Sequence, residues 1–228
     1  MRIAEVFLSV QGEGFWTGTP SIFVRAAGCN LRCRYCDTPY TSWHCEGDSY
    51  STADILAKIQ HWDCSHVVLT GGEPMLAPDL DSLCSQLQQR GYRITIETAG
   101  TKYRQLQCDL MSISPKLDNS TPNGENSHAW RQRHERRRDA PGVIRRLIAE
   151  HVYQFKFVVG QPRDVEQVLA YLDQFTGMDR DRVMLMPMGT GVQELERIAG
   201  WLIESCITHG LRYCPRRHIE WFGLNRAT

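Results

Sequence analysis

The sequence predicts an α/β fold with a mainly parallel sheet, and two observations carry that prediction. Short β-branched runs alternate with longer amphipathic stretches along nearly the whole chain, the pattern of strand–helix crossover units. Several runs, His66-Val67-Val68-Leu69-Thr70 among them, are apolar through the middle, as strands covered on both faces tend to be. About six such units leave two options, a doubly wound sheet or an incomplete barrel. The length of 228 residues fits one domain over 1–228, taking about 100–200 residues per domain.

Strands are expected at 3–10, 21–26, 66–70, 92–97, 109–112, 154–159, 182–186 and 211–213. Five helices are expected between them. Ser51-Thr52-Ala53-Asp54 opens the first as a capping box, with Ile55, Leu56, Ile59 and Trp62 at helical spacing. The second spans 79–90 and stops at Gly91; the third spans 143–150. Pro162 opens the fourth at the first helical position, where its missing N–H costs nothing. Thr190-Gly191-Val192-Gln193 reads as the capping box of the fifth, which presents Val192, Leu195, Ile198, Leu202 and Cys206 on one face and stops near Gly210. The turn-rich stretch 119–126 is expected to be an exposed loop, and the arginine-rich stretch 131–146 a solvated helix face.

Lys plus Arg equals Asp plus Glu at 26 each, so no global field steers the chain onto nucleic acid or an anionic membrane. The N-terminus has no long apolar signal region, and no stretch approaches the ~18 apolar residues of a spanning helix. The expectation is a cytoplasmic protein with no membrane partner and no direct nucleic-acid partner.

Nine cysteines without a secretion signal argue for metal or redox use of some of them. Six are scattered and are expected to be small buried apolar residues. The other three form Cys29-Asn-Leu-Arg-Cys33-Arg-Tyr-Cys36. Thiolates are soft ligands for zinc, copper(I) or iron–sulfur clusters. Cys45 and His44 could complete a closed four-ligand zinc site, giving a non-catalytic, zinc-stabilised binding module. Alternatively, three cysteines on a 4Fe–4S cubane leave one iron free for chemistry. The triplet follows the strand 21–26, beyond a strand's C-terminal end, where ligands bind in parallel α/β folds.

Other motifs sit at comparable places. Gly71-Gly72-Glu73-Pro74 follows the strand 66–70; its glycines let backbone approach a ligand, and Glu73 could accept from an amine. Ser114-Pro115-Lys116 follows the strand 109–112. Gln11 and Glu13, in Val10-Gln11-Gly12-Glu13-Gly14, could meet a guanidine-like edge. Arg25, near the end of an apolar strand, must be paired or functional, with a substrate carboxylate as a natural partner. Thr38 could give Mg²⁺ a hard oxygen. Trp16, Trp43 and Trp221 are expected to pack in the core by default.

CxxxCxxC with Tyr35 before the last Cys resembles the signature of radical S-adenosylmethionine enzymes, and Gly71–Pro74 resembles their GGEP element. QGEG, FVRAAGCNLRCRYCDTPY, VVLTGGEP, IETAGT, SPKL followed by NSTP, YQFKFVV and RYCPRRHIEWFG together are similar to the 7-carboxy-7-deazaguanine synthase family, in the same order and almost end to end. The resemblance implies an incomplete (βα)6-type radical-enzyme barrel with mainly parallel strands, and a homodimer. It implies a lyase that converts 6-carboxy-5,6,7,8-tetrahydropterin to 7-carboxy-7-deazaguanine with loss of ammonia, in 7-deazapurine (preQ0 and queuosine) biosynthesis. In such enzymes a 5′-deoxyadenosyl radical abstracts hydrogen from the pterin and is then regenerated.

It also implies roles. Cys29, Cys33 and Cys36 would bind the 4Fe–4S cluster, and Thr38 the Mg²⁺. Tyr35, Cys36, Asp37, Gly72, Glu73, Ser114, Pro115 and Lys116 would line the S-adenosylmethionine site, and Val10, Gln11, Gly12, Glu13, Arg25 and Thr70 the pterin site. The electron donor would be a flavodoxin or a ferredoxin. Two departures stand out: Val10 replaces Leu before QGEG, and Met188 replaces the acid of an expected MPEG near the cofactor's adenosine. A glycyl-radical activase is the rival within the radical enzymes; it would not need the acceptor-rich QGEG or Thr38.

Overall fold

The computed structural model describes residues 1–124 and 128–228. One nine-stranded sheet runs through it in the order β3-β1-β2-β4-β5-β6-β7-β8-β9. The strands are β1 (Arg2–Val10), β2 (Pro20–Ala26), β3 (Asp48–Ser49), β4 (His66–Gly71), β5 (Arg93–Thr98), β6 (Leu110–Ile113), β7 (Tyr153–Val159), β8 (Val183–Pro187) and β9 (Arg212–Tyr213). From β2 to β9 every neighbouring pair is parallel; β1 is antiparallel to both β2 and β3. The edge strands β3 and β9 do not pair with each other, so the barrel is incomplete. All eight expected strands form, each within a residue of its expected ends; the two-residue β3 is too short to leave a pattern.

The helices are α1 (Pro39–Ser42), α2 (Thr52–Ile59), α3 (Leu80–Gln89), α4 (His128–Arg138), α5 (Pro141–Glu150), α6 (Pro162–Leu172), α7 (Val192–His209) and α8 (Arg217–Phe222). The Ser51–Asp54 capping box forms as expected, with the Asp54 N–H donating to Ser51 Oγ at 3.1 Å and the Ser51 N–H to Asp54 at 2.9 Å. The expected box at Thr190 does not form. Gly191 is the N-cap of α7 without a side-chain bond, and the Glu194 carboxylate instead reaches back to the Thr190 N–H at 2.8 Å. Glu194 outcompetes the Thr190 hydroxyl because a carboxylate is the stronger acceptor.

Side-chain alternation explains how one sheet supports both a core and a site. Ile22 and Val24, Val67 and Leu69, Ile94 and Ile96, and Phe155 and Phe157 point to the helical layer and pack with Ile55, Leu83, Ile144, Val168 and Leu202. Their neighbours in sequence face the other way. Arg25, Thr70, Glu97, Ser112, Lys156 and Met186, from six different strands, line one cleft, so the sheet curls around it. A continuous apolar run thus hides single polar residues aimed inward.

Two expectations about segments change here. Asn119 and Ser120 are buried in a short turn (Asp118–Ser120) that the exposed-loop expectation missed, while residues 125 and 126 of that stretch lie outside the described residues. The stretch 131–146 is not one solvated helix: it breaks before Pro141, and His134 within it is fully buried. Of the scattered cysteines, Cys84, Cys206 and Cys214 are buried and the other three are partly exposed; all nine are free thiols. Trp43 and Trp221 are exposed and not in the core.

Candidate active site

The cleft spans about 1570 Å³, its open mouth included. It brings together every residue expected at a site except Glu73 and Pro115. Three groups of side chains define it.

The thiol wall comes first. Cys29, Cys33 and Cys36 all line the cleft, on the loop beyond the C-terminal end of β2. Among the described residues no three His, Cys, Asp or Glu side chains converge on one ion position. Cys45 does not line the cleft; its Sγ lies 3.8 Å from Arg2 Nη1. Burial pushes the Cys29 and Cys33 thiols up to about 12, so each needs a cationic partner to become a thiolate.

The loop that carries them is held from outside. The Arg32 N–H donates to His134 Nδ1 at 3.1 Å, and His134 Nε2 meets Ser120 Oγ at 2.8 Å. Burial lowers the His134 pKa to about 4, so the ring is neutral at pH 7. Because Nδ1 accepts, the proton sits on Nε2 and is donated to Ser120. The Arg32 guanidinium stacks 4.0 Å from the Trp130 ring centroid, Arg137 donates to Asn30 O at 3.2 Å, and Trp43 Nε1 donates to Cys33 O at 3.3 Å.

The glycine turn abuts this loop. The Glu73 N–H donates to Gly28 O at 2.9 Å, and a Cβ on Gly72 would stand 2.3 Å from Gly28 O and 2.9 Å from Cys29 Cβ. Gly72→Ala is therefore expected to displace the Cys29 loop, lowering iron uptake at least severalfold with the helical content intact. Iron per chain and circular dichroism check this. Glu73 itself is 1% exposed, and its oxygens accept from Thr98 Oγ1 at 2.8 Å, Ala99 N at 2.9 Å and Met75 N at 3.2 Å. The carboxylate so held pins the turn to the end of β5. Lys116 Nζ donates to Ser114 O at 2.6 Å and Ser114 Oγ at 2.7 Å.

The third group is a buried ionic pole. Lys156 Nζ donates to Glu13 at 2.8 Å and Glu97 at 3.1 Å. Arg216 Nε donates to Glu13 at 3.2 Å, and its Nη2 to Asp37. Gln11 Nε2 donates to Glu97 Oε1 at 3.3 Å and Thr70 Oγ1 to Glu97 Oε2 at 2.9 Å. Burial alone would raise the Glu13 pKa, yet Lys156 and Arg216 hold it well below the usual carboxylate range. Burial likewise opposes the Lys156 charge, and Glu13 with Glu97 overcomes it. Arg25 is paired as burial demands, but with Glu5: its Nε donates at 2.9 Å to an oxygen that also accepts from Tyr40 OH at 3.0 Å.

Sequence reasoning missed Glu5, Glu97, Lys156, Arg216 and His218. The signal for Lys156 and Glu97 was a lone charge in an apolar strand, the same cue that picked out Arg25. Leu224, Asn225 and Thr228, near the C-terminus, also line the cleft, and nothing in their sequence announces it.

Comparison with known proteins agrees with this architecture. The profile described as the Radical SAM superfamily matches residues 23–122, which run from within β2 through the thiol loop and the glycine turn. A 7-carboxy-7-deazaguanine synthase of Rhodopirellula baltica is 42% identical over 229 aligned residues, covering 100% of this chain and 89% of its own length. That of Halobacterium salinarum is 41% identical, covering 96% and 89%. The crystal structure of QueE from Escherichia coli superposes with a TM-score of 0.72 at 27% identity, covering 95% of this chain and 94% of its own. A structure of TYW1 with a lysine-pyruvate adduct, at 13% identity and a TM-score of 0.52, shares the fold alone. The thiol wall, the glycine turn against it and these full-length relatives lead to one conclusion: the chain belongs to the 7-carboxy-7-deazaguanine synthase family of radical S-adenosylmethionine enzymes.

Proposed function

We propose that this protein converts 6-carboxy-5,6,7,8-tetrahydropterin to 7-carboxy-7-deazaguanine with loss of ammonia, in 7-deazapurine biosynthesis. Enzymes of its family use a 4Fe–4S cluster and S-adenosylmethionine and need a reductant. The observation that carries the specific substrate is the pairing of two poles in one cleft. The acceptors Gln11, Glu13 and Glu97 suit the donor-rich guanidine-like edge of a pterin, and Arg25 suits its carboxylate.

The donor set fits the family's cofactors. Three soft thiols on one wall would hold the cluster, and the bare backbone of Gly72 leaves room close to it. Bound there, cluster and S-adenosylmethionine supply one-electron hydrogen-abstraction chemistry. What the chain itself does is position. Lys156 and Arg216 keep Glu13 ionised and fixed, so it meets the substrate as an acceptor with no reorganisation at the moment of reaction. Glu5, itself held by the Tyr40 hydroxyl, holds Arg25 through Nε, while Nη1 and Nη2 make no hydrogen bond among the described residues and stay available for a carboxylate. Tyr35, Asp37, Ser114 and Lys116, on the cleft wall, would flank S-adenosylmethionine; Val10 and Gly12 would offer backbone to the pterin.

The Mg²⁺ assignment rests on Thr38. Thr38 lines the cleft beside Asp37; its hydroxyl makes no capping bond to α1, accepts only a long bond from Thr41 Oγ1 at 3.4 Å and lies 3.8 Å from Cys36 Sγ. A hydroxyl with water filling the remaining positions is ordinary Mg²⁺ chemistry. Thr38→Ala is expected to raise the Mg²⁺ concentration for half-maximal rate about tenfold, with iron content unchanged. A Mg²⁺ titration of the rate decides it; an unchanged curve removes Thr38 from the metal.

The reading includes a single catalytic unit over 1–228 acting as a homodimer in the cytoplasm; among the described residues no helix is long and apolar enough to cross a membrane. Anaerobic reconstitution with iron and sulfide, followed by S-adenosylmethionine, Mg²⁺, dithionite and the pterin, tests it by mass spectrometry. The ring-contracted product over many turnovers is expected. Deoxyadenosine without that product would move the activity to another substrate, and a colourless, inert protein would return the zinc module.

A further inference from the structure

Although the chain has equal numbers of acidic and basic residues, its charge is not evenly spread around the thiol loop. Arg131, Arg133, Arg136 and Arg137 of α4 and Arg34 of the loop itself are exposed, and none of them enters an ion pair among the described residues. The one acid of that helix, Glu135, is engaged by Arg138 at 2.8 Å and by the Thr121 hydroxyl. No ion pair among the described residues offsets the charge of these five guanidinium groups, although Arg137 and Arg34 donate to Asn30 O and Asn119 O, and α4 has no apolar stripe to bury.

Their location is what distinguishes them from an ordinary solvated face. α4 is bonded directly to the cysteine loop, through His134 to Arg32 N and through Arg137 to Asn30 O. Trp43, an exposed indole bonded to Cys33 O, flanks the same loop. The basic helix therefore packs directly against the cysteine loop, and Trp43 bonds to the same loop. Electrons delivered to a cluster on that wall must cross the loop, and transfer falls steeply with distance. A carrier docked on α4 would sit on the helix that is bonded to that loop.

Resting on the function proposed above, we infer that α4, with Arg34 and Trp43, is the docking face for an acidic one-electron carrier protein. Charge complementarity selects the partner: a carrier with an acidic rim around its redox group is steered to this patch, faster at low salt. RNA is the other polyanion such a patch suits, but its site would not need to lie against the cysteine loop.

The test uses the reconstituted holoenzyme and an acidic flavodoxin as probe. Arg131→Glu/Arg136→Glu changes two side chains with no partner in the fold. In this variant the dissociation constant for flavodoxin, measured calorimetrically at low and at physiological salt, is expected to rise at least tenfold at low salt. Its dependence on salt should flatten as well. The flavodoxin-driven rate at subsaturating carrier should fall by a similar factor, while the dithionite-driven rate stays that of the parent. An unchanged flavodoxin dissociation constant overturns the inference. So does loss of binding to a tRNA transcript with flavodoxin binding intact, which would make the face a nucleic-acid site. Failure of the parent to form product with dithionite would overturn the function proposed above, and the calorimetric comparison would still decide the docking face.

Discussion

Cys33→Ala is expected to leave a folded protein with no measurable turnover, a loss of about 1000-fold or more, because two thiolates do not hold a cubane that three were placed to hold. Folding should survive because the bonds at this position use its backbone. The Cys33 carbonyl accepts from Trp43 Nε1 and from the Cys36 N–H at 3.3 Å, and alanine keeps both. The thiol itself is a buried group pushed up to about 12, so in the metal-free protein it is a neutral, weakly bonded side chain. Iron and sulfide per chain should fall to less than half of the parent value, with an unchanged circular dichroism spectrum. Full iron content in the variant would show that Cys33 is not a ligand.

Lys156→Met should be the most damaging change away from the thiols. The ammonium is 3% exposed and is shared by Glu13 and Glu97, so its removal leaves two carboxylates facing each other with Arg216 touching only Glu13. Breaking a buried ion pair from one side costs about 3–5 kcal/mol. The pH dependence follows from the direction of the Glu13 shift. Its pKa is depressed in the folded protein, so its contribution is complete above the ordinary carboxylate range and lost as pH falls through the folded value. The stability gap between parent and variant should therefore be widest near neutral pH and narrow in acid. Urea midpoints at pH 4 and pH 7 measure it. Lys156→Arg should recover most of the stability but not the Michaelis constant for the pterin, since a planar fork cannot replace a point charge between two acids. Equal midpoints for Lys156→Met and the parent would remove the pole from the folding argument.

How much of this was legible in the sequence depended on the range over which each signal acts. Strand positions were legible because burial on one face imposes a local pattern, and the thiol loop because its three ligands lie within eight residues. The direction of each side chain was less so. In YQFKFVV the flanking aromatics mark a strand, but only the sheet's curvature shows that Lys156 points into the cleft while Phe155 and Phe157 point to the helices. The turn of Glu73 was legible from its two glycines, whereas its partners Thr98 Oγ1, Ala99 N and Met75 N were not, because a carboxylate after two glycines says nothing of the donors waiting at the end of β5. Most arginines of α4 are exposed as expected, but the bond of His134 to the cysteine loop spans 102 residues and leaves no local signal. Arg216 and His218 were invisible for the same reason.

The pairing of Glu13 with Arg216 spans 203 residues. Gly14 N donates to Cys214 Sγ and Arg217 N to Gly12 O, so the first loop of the chain is completed by its last helix. On the ribosome, the order of events is then fixed. The cysteine loop emerges early and can meet metal while most of the sheet is unmade, but Glu13, the proposed substrate acceptor, stays without one of its two cations until Arg216 appears. A nascent or prematurely terminated chain would carry reactive thiols and no finished pterin site. The emergence of Arg216 is thus a late step in building this active site.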